Sequence, residues 1–219
     1  MLMRFLISSA VFMCAVLFYN FPEIDLWFSG LFYDPELGFF LGANIIVLLI
    51  YKAAPSLVLI FVVAIAYKAL RTLWWVRSVH PKYYLPVIYV TLVCVLGPGY
   101  VIHEVVKDHF GRARPTEIIE FGGHSYFTPA FAISDQCMEG CSFVSGHSAV
   151  GYMIYAIAFL YHGRRRVYWQ VVATFTGSII GIARVMQGSH FLSDVVFSGV
   201  LVFLTAYFLS YILRPHEKI

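Results

Sequence analysis

Long apolar runs separated by short polar segments dominate the chain. Residues 4–20 are apolar after Arg4, and the apolar run gives way to Tyr19-Asn20-Phe21-Pro22. They lack a small-x-small cleavage pattern, so they read as an uncleaved first span. Residues 21–40 place Glu23, Asp25, Asp34 and Glu36 among many aromatic side chains, the pattern of a segment with rings at headgroup level. The apolar stretch from Leu41 to Ile50 is interrupted by Lys52 and Pro55, which predicts a shorter helix feeding a second span over 54–71. A third span, 84–106, contains Gly97-Pro98-Gly99 and is expected to kink there. Residues 107–146 form the long polar segment. Further spans follow at 147–162, 168–184 and 191–213. The pattern predicts an all-α membrane protein: six transmembrane helices, with short interfacial helices in the outer loops, in one unit over residues 1–219.

Composition removes the soluble alternatives. Of 219 residues, 60% are hydrophobic and only 12% are charged, too few for the surface of a soluble domain. The mean hydropathy is +0.78. The net charge of +3 is small and no basic tail is present, so nucleic acid is not expected as a partner. The distribution of charge carries more. Arg4, the group from Lys68 to Lys82, Arg164-Arg165-Arg166, and Arg214 with Lys218 fall on one side of a six-span arrangement. The positive-inside rule makes that side, and both termini, cytoplasmic. The acidic first loop, the 107–146 segment and the 185–190 turn then face outward, which in a bacterial inner membrane is the periplasm. Lys107, Arg112 and Arg114 break the rule, as cations with an anionic partner would.

Three polar clusters fall at span ends on this outer face. Lys107, Arg112 and Arg114, closed by Pro115, suit a clamp for a dianion, although cations at helix ends also snorkel to lipid phosphates. Ser145 and Gly146, opening the fourth span before His147, would offer backbone N–H groups and a helix dipole to an anion. A plain serine cap is the alternative. Arg184, His190 and Asp194 form the third cluster. If a helix begins near His190, Asp194 lies one turn on and can accept an imidazole proton, leaving the other nitrogen as a nucleophile. A satisfied polar cluster at a helix end is the alternative there. Together on one face, the clusters supply cations, backbone donors, an oriented imidazole and a second histidine, the equipment of phosphoryl transfer.

Lys107-x6-Arg114-Pro115, Ser145-Gly146-His147 and Arg184-x5-His190-x3-Asp194 resemble the three-part signature of the type 2 phosphatidic acid phosphatase (PAP2) superfamily, over about residues 84–213. The resemblance implies a PAP2-type helical core and a phosphatase that needs no metal and no cofactor. In it His190 attacks phosphorus and Asp194 orients it. Lys107, Arg114 and Arg184 hold the phosphate, assisted by Ser145 and Gly146, with Arg112 in support. His147 protonates the leaving oxygen. Val144 and Ala183 stand where the family often has Pro and Ser, and neither change removes a titrating group. Lys107-Asp-His-Phe-Gly-Arg, Phe131-Ala-Ile-Ser-Asp-Gln-Cys137 and Gln187-Gly-Ser-His-Phe-Leu-Ser-Asp further resemble the lipid A 4′-phosphatase branch. That implies a membrane lipid phosphate as substrate. The same chemistry on undecaprenyl diphosphate, phosphatidylglycerol phosphate or phosphatidate, and transfer to an acceptor lipid, are the alternatives.

An oxidising outer face favours a disulfide between Cys137 and Cys141, with Gly140 easing the tight turn. His124 with the carboxylates of the 116–141 segment is not expected to form a metal site. That segment is expected to wall the headgroup.

Overall fold

The computed structural model describes residues 2–72, 74, 81–99 and 108–214. Nine α-helical segments are found among these residues. They are α1 (Leu2–Asn20), α2 (Glu23–Gly30), α3 (Ile45–Arg71), α4 (Pro81–Cys94), the single turn α5 (Asp108–Phe110), α6 (Gly146–Tyr152), α7 (Tyr155–Ala158), α8 (Gly163–Met186) and α9 (Leu192–Leu213). The fold is mostly helical, as the apolar pattern predicts. The first loop departs from it by forming a two-stranded ribbon, β1 (Tyr33–Asp34) against β2 (Gly38–Phe39).

Helices α3, α8 and α9 are long and apolar enough to cross a bilayer. Helices α1 and α2 would make a fourth crossing only if counted together, and they meet at 78°. The shorter apolar stretch Tyr83–Gly99 corresponds to the described part of the third expected span. Helix α3 starts nine residues earlier than the expected 54–71 span and runs through Pro55 without a break. Asn44 caps it, accepting the N–H of Ile46 at 2.9 Å. The expected fourth span is not one regular helix. After α6 the chain tightens, with Ala156 N–H donating to Met153 O at 3.0 Å and Leu160 N–H to Ile157 O at 3.1 Å. These i to i+3 bonds mark 3₁₀-like winding.

Small residues let α6, α8 and α9 meet closely. A Cβ on Gly177 of α8 would lie 2.4 Å from the Tyr152 ring, and one on Gly151 would lie 2.6 Å from Gly177 Cα. Close backbone approach of this kind holds helices together where lipid removes the hydrophobic drive. Outward faces carry apolar side chains such as Leu59, Ile60 and Val63 of α3, all exposed. This packing gathers the start of α3, the start of α6, the end of α8 and the start of α9 at one end of the bundle.

Candidate active site

The start of α9 is built around a buried carboxylate. Asp194 is fully buried in the first turn. Its Oδ2 accepts the N–H of Phe191 at 2.8 Å and the Ser142 hydroxyl at 2.5 Å. Its Oδ1 accepts Arg112 Nη1 at 2.7 Å. A carboxylate here complements the positive end of the helix.

His190 lies two residues before the helix, not within it. Its Nδ1 is 2.8 Å from the carbonyl oxygen of Ser142 and 3.7 Å from Asp194 Oδ2. The second distance is too long for a hydrogen bond. The expected direct acceptance of the imidazole proton by Asp194 is therefore replaced by a two-step arrangement. The Ser142 carbonyl accepts a hydrogen bond from Nδ1–H, and the Ser142 hydroxyl donates to Asp194. An Nδ1–H bonded in this way places the imidazole lone pair on Nε2. Asp194 remains close enough to favour a positive charge on the ring.

Arg112 is not part of an open clamp. It is 1% exposed and lies behind Asp194. Nε donates to Thr128 O at 2.8 Å, Nη1 to Ser193 Oγ at 2.8 Å and to Asp194, and Nη2 to Asp25 Oδ2 at 2.9 Å. Its guanidinium also sits over the Phe191 ring, 4.2 Å from the centroid. The two carboxylates that share it consume its donors and draw it inward. Asp25, from α2, is fully buried and also accepts Ser193 N–H at 2.8 Å and the Ser193 hydroxyl at 2.5 Å. The sequence pattern assigned Asp25 to an interfacial segment. The only local signal was a carboxylate surrounded by Ile24, Leu26, Trp27 and Phe28.

Arg114 points elsewhere. Its Nε and Nη2 both donate to Gly140 O, at 3.0 and 2.6 Å. Gly140 lies inside the loop closed by a Cys137–Cys141 disulfide, whose Cα atoms are 5.6 Å apart. Lys107 lies outside the described residues. Ser145 caps α6, its hydroxyl accepting Ser148 N–H at 3.4 Å. Its own N–H donates to Asp194 O at 3.2 Å, so the expected pair of backbone donors at Ser145 and Gly146 loses its first member.

Arg184, in the last turn of α8, donates from Nη1 to Gln187 Oε1. Its Nε is buried, and among the described residues no acceptor takes it. A buried guanidinium donor left in this way is costly, and an anionic oxygen would satisfy it. Tyr51 of α3 meets both Arg184 and His147. The ring centroid lies 4.7 Å from Arg184 Cζ and 4.8 Å from the His147 ring centroid. Tyr51 had no motif to single it out.

The first loop seals the turn before His190. A Cβ on Gly188, which has φ +64°, would lie 2.4 Å from the Phe39 ring. Phe39 packs with Tyr33 and Phe121, and Thr116 N–H donates to Gly188 O at 3.0 Å. Thr116 and Phe121 thus tie the start of the 116–141 segment to this turn and to the first loop. Among the described residues no group of three or more His, Cys, Asp or Glu side chains converges to hold a metal ion. The structure sets a tautomer-fixed imidazole beside a buried carboxylate, and a guanidinium and a second histidine against one tyrosine ring. That set can attack, hold and protonate a phosphate ester.

Comparison with known proteins agrees with this chemistry. The PAP2 superfamily model matches residues 85–218. The chain is 31% identical to the lipid A 4′-phosphatase of Francisella tularensis subsp. novicida, over 90% of this chain and 89% of that protein. It is 35% identical to the lipid A 4′-phosphatase of Rhizobium leguminosarum, over 50% of this chain and 48% of that one. It is also 34% identical to the lipid A 1-phosphatase of Rhizobium etli, over 69% of this chain and 62% of that protein. No solved structure matches the chain.

Proposed function

The chain belongs to the PAP2 superfamily and is a membrane lipid phosphatase, and on that premise we propose that it removes the 4′-phosphate of lipid A through a phosphohistidine on His190. The observation that carries this reading is the state of His190. The residue is 2% exposed and its Nδ1 is held 2.8 Å from Ser142 O, which supports the tautomer with its lone pair on Nε2, the form that a nucleophile needs.

In the first step Nε2 bonds to phosphorus as the bond from phosphorus to the sugar oxygen breaks. His147 gives a proton to that oxygen. Asp194 stabilises the imidazole as it becomes positive. In the second step a water oxygen attacks phosphorus, the P–N bond breaks, and His147 takes the water proton. Arg114, Arg184 and Lys107 hold the non-bridging oxygens, with the Gly146 N–H adding a donor at the start of α6. Arg112 acts from behind by fixing Asp194. The site faces the periplasm of the bacterial inner membrane, the termini are cytoplasmic, and six crossings are made by the regions of α1, α3, α4, α6 with α7, α8 and α9. The support is the gathering of the helix ends that carry the motifs, with cationic segments elsewhere in the chain.

Purified protein in detergent, offered lipid A, undecaprenyl diphosphate and phosphatidylglycerol phosphate together, tests the assignment by mass spectrometry of the products. Selective loss of the phosphate on the distal glucosamine is the expected result. Loss of the 1-phosphate, or preferential turnover of the polyprenyl diphosphate, would overturn the substrate and keep the mechanism.

A further inference from the structure

Tyr51 is the point where α3 meets the two proposed groups that handle the phosphate ester. It lies in the second turn of a long helix whose start is fixed by the Asn44 cap. Its ring centroid is 4.8 Å from that of His147, with 31° between the planes, and Arg184 Cζ stands 4.7 Å from the same centroid. Tyr51 is outside the matched region 85–218. From this juxtaposition we propose that Tyr51 is a positioning residue, whose ring holds the leaving-group acid and the phosphate-binding guanidinium in register with each other. The inference rests on the roles given above to His147 and Arg184.

The choice of an aromatic ring at this place has a physical reason. A guanidinium over a ring face is attracted by the ring quadrupole and still keeps its N–H groups for other partners. A carboxylate in the same position would orient Arg184 as well. It would also neutralise the cation and repel the dianionic phosphate. Arg184 needs such a support. Its Nη1 is tied to Gln187, and Nε has no acceptor among the described residues. The ring quadrupole also favours His147 when that imidazole is protonated, the form in which it would serve as acid. Helix α3 packs against both α6 and α8, so a ring fixed on it sets the spacing between His147 and Arg184. The phenol oxygen is not required by this argument.

Tyr51→Phe and Tyr51→Leu separate the ring from the hydroxyl and from bulk packing. Tyr51→Phe is expected to keep kcat and KM at about the wild-type values, since the ring is retained. Tyr51→Leu is expected to raise KM and lower kcat, so that kcat/KM falls about 10- to 30-fold, and to weaken inhibition by vanadate to a similar degree. Size-exclusion and thermal denaturation in detergent report whether each variant is folded. Tyr51→Met replaces the Leu variant if the latter does not fold. Wild-type rates for a folded, ring-less variant would overturn the proposal. Equal losses in the Phe and Leu variants would also overturn it by pointing to the hydroxyl. Arg184→Ala and His147→Ala in the same assay separate the two layers of argument. If those variants stay active, the roles assigned to them are wrong. If they lose activity and Tyr51→Leu does not, only the role of Tyr51 is wrong.

Discussion

Arg112 Nη1 lies 2.7 Å from Asp194 Oδ1, and both side chains are out of solvent. Asp25 holds the other arm of the same guanidinium at 2.9 Å. Two carboxyl groups share one buried cation, and only dense hydrogen bonding tolerates such a cluster out of water. Ser193 and Ser142 supply it. Breaking the network from its cationic centre is therefore severe. Arg112→Met is expected to destabilise the protein by about 3–5 kcal/mol, because two buried carboxylates lose their counter-charge. Arg112→Lys is expected to restore little of this, since an ammonium cannot span both carboxylates as the planar fork does. Thermal denaturation of the variants in detergent is the check. A Lys variant that melts like the wild type would show that charge alone matters here.

Ser142 separates two roles that one side chain could have filled. Its carbonyl fixes His190, and its hydroxyl is held by Asp194. Ser142→Ala keeps the carbonyl and removes the hydroxyl. The expected result is a folded protein with kcat down by about 10- to 100-fold, the value of one hydrogen bond to a charged group. KM should hold. An Asp194→Asn variant should lose more, because it also removes the charge that favours the cationic imidazole. If Ser142→Ala matches the wild type, Asp194 acts on His190 without the serine.

The motifs that single out candidate residues are local in the sequence, and the contacts those residues make are not. His190, Asp194, Arg184, His147 and Arg114 stand in spaced motifs next to apolar runs. The structure brings His190, Asp194 and Ser142 together, and Arg184 and His147 meet at Tyr51. Which side chain touches which was not readable. Arg112 and Arg114 are two positions apart in the same polar stretch, yet one is drawn inward by Asp25 and Asp194 and the other is turned to Gly140. Asp25 pairs with Ser193 across 168 residues, a distance over which no periodicity carries information. The fourth span reads as an even apolar run, and the sequence does not distinguish an α-helix there from the tighter winding after Met153.

His190 should behave as a nucleophile whose neutral form reacts. His190→Ala is expected to abolish turnover in a protein that still melts cooperatively. The wild-type rate should trace a bell against pH. The acid limb is set by protonation of His190, which removes the attacking lone pair. The alkaline limb is set by loss of the proton that His147 must donate. His147→Ala should therefore lose the alkaline limb along with most of its rate. Vanadate, a mimic of the trigonal-bipyramidal phosphoryl state, should inhibit, and a chelator should not. Strong inhibition by chelator, or an unchanged alkaline limb in His147→Ala, would contradict these assignments.

The Cys137–Cys141 disulfide should tune phosphate binding more than chemistry. It closes a short loop whose Gly140 carbonyl receives two donors of Arg114, and Cys141 immediately precedes Ser142. Ser142 has independent anchors: its N–H donates to Arg112 O at 2.8 Å and its hydroxyl to Asp194. Arg114 has Gly140 as the acceptor for its guanidinium on this side. Opening the disulfide releases a constraint worth about 2 kcal/mol for so short a loop, and the released freedom falls first on Gly140. A reductant should thus lower the melting temperature and raise KM about fivefold, while kcat changes little. The double variant Cys137→Ser with Cys141→Ser should reproduce the reduced enzyme and no longer respond to the reductant. A fall in kcat at constant KM would instead mean that the disulfide holds Ser142, and through it His190.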